Sequence, residues 1–250
     1  MRETRTVMGM PVTVEIVDAT ASAAAIEKIF KYFIYVDETF STYKPESEIS
    51  RINRQEILPE NYSDDMKEVL KLSEETKRAT NGYFDVRAND ASLDPSGLVK
   101  GWAIYNAACL LTKDGFKNFY VEAGGDIEVR GTNASGEAWR VGLRSPFDYE
   151  KIVKTVAISN QGIATSGTYL RGQHVYNPHR RDEPLSEVVS LSVIGPNIYE
   201  ADRFATAAFA MGRQGIMFVE KLAGFEGYQI DRDGIATMTS GFEKYVINYA

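Results

Sequence analysis

Half-way along this chain the rhythm of its apolar residues changes, and that change narrows the available folds more than any other feature. Up to about residue 113 the repeats are helical. Ile26, Ile29, Phe30, Phe33 and Ile34 recur at three- and four-residue spacing within Ser22–Phe40, as in an amphipathic helix laid on a core. Ser63–Thr80 opens with a capping serine and two acids that suit the positive end of a helix, and it stops at Asn81-Gly82, a C-terminal cap signal. A third helix follows Leu93–Ala103 and runs to about Lys113. Beyond it, Asn118–Arg130, Glu137–Arg144, Ile152–Ser159 and Ser186–Ile194 read as strands separated by turn residues. Helices return at Tyr199–Met211 and Gln214–Leu222. Glu226–Ile230, Gly234–Met238 and Lys244–Asn248 then read as closing strands. Near the start, Val7–Val17 reads as a strand, Ser41–Asn53 as a loop with a short helical turn, and Tyr83–Val86 as a short extended piece.

Helices early and hairpin-spaced strands late predict an α+β protein, with helices packed on a mainly antiparallel sheet, rather than alternating βαβ units. The 250 residues, 44% hydrophobic and 25% charged, suit one compact domain spanning 1–250, in one or two lobes. The net charge of −7, with no long basic run, argues against nucleic acid as a partner. One cysteine, Cys109, excludes an internal disulfide and reads as a small buried helix residue; with only two histidines, a zinc site of the Cys/His kind is not expected. A magnesium or calcium site built from oxygens stays open. No apolar run has the length of a signal peptide or a membrane span, so the expected location is the cytoplasm.

Four stretches carry residue types that can do chemistry. In Leu93–Ala103, an acid (Asp94) precedes a helix capped by Ser96, Gly97 sits in the first turn and Lys100 one turn in. A carboxylate, free helix amides and an ammonium suit a phosphate and its metal ion; the plainer alternative is an ordinary strand–turn–helix with a surface lysine. Asp202 and Thr206 lie four apart on a helix, where they can hold a hard cation, or serve only their own helix, the acid at its N-terminus and the threonine by back-bonding. Ile163–Tyr169 is dense in hydroxyls and glycine, as a loop around an anion would be, and leads to His174, a candidate general base or an exposed loop histidine. Gly124-Gly125 interrupts a strand, which marks a bulge or a close approach, and the aromatics of Phe40–Tyr43 and Tyr83-Phe84 sit beside polar turns where a flat ring can stack.

Each signal is weak alone; their order is specific. Met8-Gly9, Phe40-Ser41-Thr42-Tyr43, Ser47–Asn53, Gly82-Tyr83-Phe84-Asp85, Asp94–Gly101, Ala123-Gly124-Gly125-Asp126, Ala164-Thr165-Ser166-Gly167, His174, and Ala201-Asp202 with Thr206 follow one another from Met8 to about Gly212. In this the chain resembles the FAD:protein FMN transferase family, the ApbE-type flavin transferases. The resemblance implies a Mg²⁺-dependent enzyme, with one or two ions, that splits the pyrophosphate of FAD. It passes FMN to a Thr or Ser hydroxyl of an acceptor flavoprotein and releases AMP. It further implies metal ligation by the Gly97 carbonyl, the Asp202 carboxylate and the Thr206 hydroxyl, and FAD contacts from Met8, Tyr43, Tyr83, Phe84, Asp85, Asp94, Lys100 and Thr165. His174 matches the histidine proposed to activate the acceptor hydroxyl, and His174 and Asp202 are the two residues expected to be catalytic. Two other readings keep the same site: an FAD pyrophosphatase that uses water, and a non-catalytic FAD-binding protein. The acceptor's identity and the oligomeric state stay open at this stage. Met10, Asn177 and His179–Pro184 depart from the family's usual residues, the last two beside His174. The leader and lipid-bearing cysteine of many exported members do not occur in the sequence as given, which is expected of a cytoplasmic member or of a chain whose leader has been removed.

Overall fold

A computed structural model describes residues 1–88, 92–148, 150–167, 175–180 and 183–247. Ten strands and six α-helices follow one another among them. The first hairpin is β1 (Arg2–Val7) and β2 (Met10–Ile16); then come α1 (Ala23–Phe40), α2 (Glu48–Asn53), α3 (Asp64–Ala79) and α4 (Ser96–Lys113). The strand-rich half holds β3 (Phe119–Ala123), β4 (Asp126–Arg130), β5 (Trp139–Arg144), β6 (Ile152–Ile158), β7 (Gln161–Gly167) and β8 (Val188–Gly195). It closes with α5 (Ile198–Ala210), α6 (Gly215–Glu220), β9 (Glu226–Asp231) and β10 (Ala236–Met238). Eight strands form one sheet in the order β1-β2-β3-β4-β7-β8-β9-β10, every pair antiparallel, and β5 pairs with β6 in a separate hairpin. This is the α+β arrangement the periodicity predicts.

Period-two alternation gives the sheet two different faces. Val12, Val14 and Ile16 of β2, with Phe119 and Val121 of β3, turn to the helices and join Phe30, Phe33 and Trp102 in one core. Ile127 and Val129 of β4 turn the other way, into a second core with Trp139, Val141, Val156 and Phe242. Each large apolar side chain so buried contributes roughly 1.5–3 kcal/mol. The helices form where their stripes and caps require. Ser22 and Ser63 accept hydrogen bonds from Ala25 N (3.2 Å) and Met66 N (3.1 Å), and Ile26, Ile29, Phe30, Phe33 and Val36 line the buried face of α1. Ile34 is off that stripe and 43% exposed.

Several elements differ from the sequence expectation. Val7–Val17 is the end of a hairpin rather than one strand, because Met8 (φ 55°) and Gly9 (φ 71°) turn the chain. Gly124 and Gly125, at φ 58° and 93°, form a two-residue hairpin turn rather than a bulge; successive positive φ values match the twist of the flanking strands. Residues 163–167 of the expected anion loop belong instead to the central strand β7, paired with β4 and β8. Tyr83–Val86 is bent rather than extended, and where a closing strand at Lys244–Asn248 is expected the chain makes a 3₁₀ turn at Phe242–Tyr245, followed by a bridge from Val246 to Val156 and an Ile247 N to Thr155 O bond of 2.8 Å. Cys109 is exposed, not buried, since that side of α4 faces outward. Among the described residues, no helix is long and apolar enough to cross a membrane.

Candidate active site

α4 and α5 lie side by side and run antiparallel, and the candidate site forms where the first turns of α4 meet the Asp202–Thr206 stretch of α5 near Asp126, the first residue of β4. The approach to α4 is fixed by Asn53 at the end of α2. Its side-chain amide donates to Leu93 O (2.9 Å) and its carbonyl accepts from Leu93 N (2.8 Å). The helix then begins at Ser96 rather than being capped by it: Pro95 holds the cap position, and Asp94 Oδ1 accepts the Ser96 amide at 3.0 Å. Gly97 follows, with its Cα against the Phe84 ring and the Thr206 methyl; a Cβ there would lie 3.2 Å from each.

Thr206 does not bond back to its own helix. Its hydroxyl donates to Gly97 O across the gap at 3.2 Å. Asp202, four residues earlier, likewise serves the neighbouring helix: Oδ2 accepts the Gly101 amide at 2.7 Å. A Cβ on Gly101 would sit 2.6 Å from the Asp202 Cβ, so this contact depends on glycine. Asp202 is buried, which pushes its carboxyl up to about 7; the Lys100 ammonium pulls it back down and the carboxylate of Asp126 pushes it up again. Lys100 Nζ lies 2.5 Å from Asp126 Oδ2 and 3.9 Å from Asp202 Oδ1. Asp126 in turn accepts the Thr165 amide through Oδ1 at 3.0 Å, and the Thr165 hydroxyl pairs with that of Ser192 at 2.8 Å.

One cleft is lined by Tyr83, Phe84, Asp85, Asp94, Gly97, Lys100, Thr165, Asp202 and Thr206, nine of the residues singled out in the sequence. Phe84 is buried, and Asp85 is held by Lys77 at 2.9 Å and by the Arg87 amide at 3.0 Å. Met8 and Tyr43 do not line that cleft. Met8 is on the β1–β2 turn, beside the Gly124-Gly125 turn through the Gly124 N to Pro11 O bond of 3.1 Å; Tyr43 is 95% exposed between α1 and α2. His174 lies outside the described residues. Its neighbours Asn177 and His179 do not: the His179 ring meets Asn81 O at 2.9 Å and packs edge-on against Tyr83, with ring centres 4.6 Å apart. Tyr176 donates to Arg87 O at 2.8 Å, so residues 175–180 are fastened to the aromatic turn from both ends.

The sequence reading assigned no role to Asp126 or to the Asn53 clamp. Both were present only within longer motifs, and each acts on a partner 26 or more residues away. Among the described residues no three His, Cys, Asp or Glu side chains cluster as a metal site. Gly97 O, Thr206 Oγ1 and the Asp202 carboxylate come together as an oxygen set of the kind that could hold a hard cation.

A family model described as the ApbE family matches residues 8–90 and 86–228. The chain belongs to the ApbE family. It is 26% identical over 279 residues to the FAD:protein FMN transferase of Escherichia coli (strain K12), covering 87% of this chain and 80% of that protein. It is 31% identical over 166 residues to the FAD:protein FMN transferase of Salmonella typhimurium, covering 63% of this chain but 47% of that protein's length. The flavin transferase ApbE from Vibrio cholerae superposes with a TM-score of 0.85 at 22% identity, covering 98% of each chain. The ApbE protein from Thermotoga maritima gives 0.85 at 18% identity, covering 99% of each. These likenesses bear out the fold class and the resemblance read from motif order, and the enzyme class expected of this ApbE chain, a flavin transferase, is the one its curated relatives carry.

Proposed function

We propose that residues 1–250 act as one flavin transferase domain that moves FMN from FAD to a Thr or Ser hydroxyl of an acceptor protein, with Mg²⁺, releasing AMP. The observation that carries this reading is the meeting of Gly97 O, Thr206 Oγ1, the Asp202 carboxylate and the Lys100 ammonium at the start of α4, in a cleft walled by Tyr83 and Phe84. Phosphoryl transfer asks little covalent chemistry of the protein; it asks for charge neutralisation and alignment. Gly97, Asp202 and Thr206 would hold Mg²⁺, which neutralises charge on the pyrophosphate oxygens when bound. Lys100 adds a positive charge beside that position. Tyr83 and Phe84 offer ring faces and edges to the nucleotide, with Asp94 and Thr165 at the margins.

The acceptor oxygen forms a bond to the FMN-side phosphorus as the bond to the bridging oxygen breaks, so AMP leaves with that oxygen. The hydroxyl proton goes to a base, the role the family resemblance gives His174. The test is to incubate the protein with FAD, Mg²⁺ and a Thr-containing acceptor. The expected result is one covalent flavin on the acceptor, seen by gel fluorescence, for each AMP formed. Steady FMN release with no labelled protein would replace this reading with an FAD pyrophosphatase, and tight FAD binding without turnover would replace it with a binding protein.

A further inference from the structure

Lys100 and Asp202 line the cleft, and behind Lys100 the buried Asp126 is a second carboxylate that competes with Asp202 for the one ammonium. Lys100 Nζ is in contact with Asp126 Oδ2 at 2.5 Å, while Asp202 Oδ1 is 3.9 Å away. Asp126 is held for this by β4 and by the Thr165 amide; its residue is 1% exposed. Asp202 is pinned through its other oxygen to Gly101 N, which leaves Oδ1 as the oxygen nearest the ammonium. Oδ1 is also what Asp202 has left to offer a cation beside Gly97 O and Thr206 Oγ1.

An ammonium in full contact with a carboxylate neutralises it, and a neutralised carboxylate is a poor ligand for a divalent ion. Lysine is a point charge on a flexible stem, so without a competing anion it moves to the nearest one. We propose that Asp126 is a positioning residue that holds the Lys100 ammonium off Asp202 and thereby leaves the Asp202 carboxylate to the cation. Asp126 touches neither cation nor substrate in this role; it acts through Lys100. The inference rests on the metal assignment made above for Gly97, Asp202 and Thr206.

The experiment uses Mn²⁺, whose binding to the whole chain is followed by electron paramagnetic resonance without FAD or acceptor. Wild type is measured first, alongside FMN transfer. In Asp126→Asn the amide keeps the size and the Thr165 contact but loses the charge, so Lys100 turns to Asp202. Mn²⁺ binding weakens at least tenfold, and the Mg²⁺ concentration for half-maximal transfer rises by a similar factor. In Asp126→Asn/Lys100→Met no ammonium competes, and Mn²⁺ affinity returns to within about threefold of wild type. Unchanged Mn²⁺ binding in Asp126→Asn overturns the proposal, and so does a double variant as weak as the single. Should Asp126→Asn fail to fold, the double variant decides alone, because its neutral pair must bind Mn²⁺ as wild type does. A wild type that binds Mn²⁺ but transfers no FMN refutes the transferase reading and leaves this inference standing. A wild type that binds no Mn²⁺ overturns the metal assignment and this inference with it.

Discussion

Two buried carboxylates at α5 behave alike in isolation and differently in place. Asp202 stands within the helix and Glu128 on β4 below its start; burial pushes both up to about 7. Glu128 is fully closed in. One oxygen takes the amide of Ile198, the first residue of α5, at 2.7 Å, and the other is paired with Arg130. It serves as a cap supplied by the sheet, and the α5 backbone comes so close there that a Cβ on Gly162 would lie 2.1 Å from Ile198 N. Asp202 has one oxygen satisfied by Gly101 and the other turned toward Lys100 in a cleft. A raised carboxyl therefore does not by itself mark a catalytic group. What separates the two is whether the second oxygen faces protein or the open cleft.

The largest effect follows directly. Asp202→Asn keeps the shape but removes the anionic ligand, and FMN transfer falls by at least about a thousandfold, the scale of losing a main electrostatic contribution to phosphoryl transfer. Its melting temperature stays close to wild type, because an unfavourably buried charge has gone. Glu128→Gln keeps transfer within a few-fold. Parallel assays of both variants with FAD, Mg²⁺ and acceptor check this, and equal losses would erase the distinction between the closed and open carboxylates.

Glycines set both ends, and alanine at each gives the next largest effect. Gly101→Ala drives a methyl into Asp202, so stability falls by about 1–3 kcal/mol and transfer falls with it, as the two helices separate at the site. Gly162→Ala meets backbone at the closed end, where the neighbour cannot give. Its loss is at the upper end of that range, yet turnover per folded molecule is kept. Urea titration with activity normalised to folded protein separates the two, and a Gly101→Ala protein of normal specific activity would show that this contact is only structural.

How much of this was legible beforehand depended on whether a residue's neighbours lie nearby in the chain. α1, α3, α4 and α5 were readable because a helix buries its own periodic stripe and carries its own caps. β7 was not. Gln161-Gly162-Ile163-Ala164-Thr165-Ser166-Gly167 is small and polar because it runs in the sheet centre under α5, and no local apolar alternation announces that. β1 was missed for the opposite reason: as an edge strand it carries charges rather than a core stripe, with Arg2 paired to Glu15 and Arg5 paired to Glu3 and Glu27. In the cleft, Gly97, Asp202 and Thr206 entered through motif order, each ambiguous by spacing alone. The partnerships that organise them, Asp126 with Lys100 and Asn53 with Leu93, join residues 26 and 40 apart and exist only once the sheet is assembled.

The smallest effect is a pH dependence, and it tests the closed end alone. Glu128 has a folded value of about 7 against an ordinary 4.5, so between these the native state binds the proton that the unfolded chain releases. Stability must then fall, not rise, as pH increases through that window, and level off above about 7. For this single group the loss from pH 5 to pH 7 is on the order of 2 kcal/mol. Other carboxylates titrate over the same range, so the useful quantity is the difference between wild type and Glu128→Gln, which removes this group's share. Denaturant unfolding at pH 5, 6 and 7 should show the wild type losing ground relative to the variant. A difference that stays flat with pH would mean that Arg130 and the Ile198 amide hold Glu128 ionised throughout. The closed site would then be a stable ion pair, and the likeness between the two carboxylates would end at their burial.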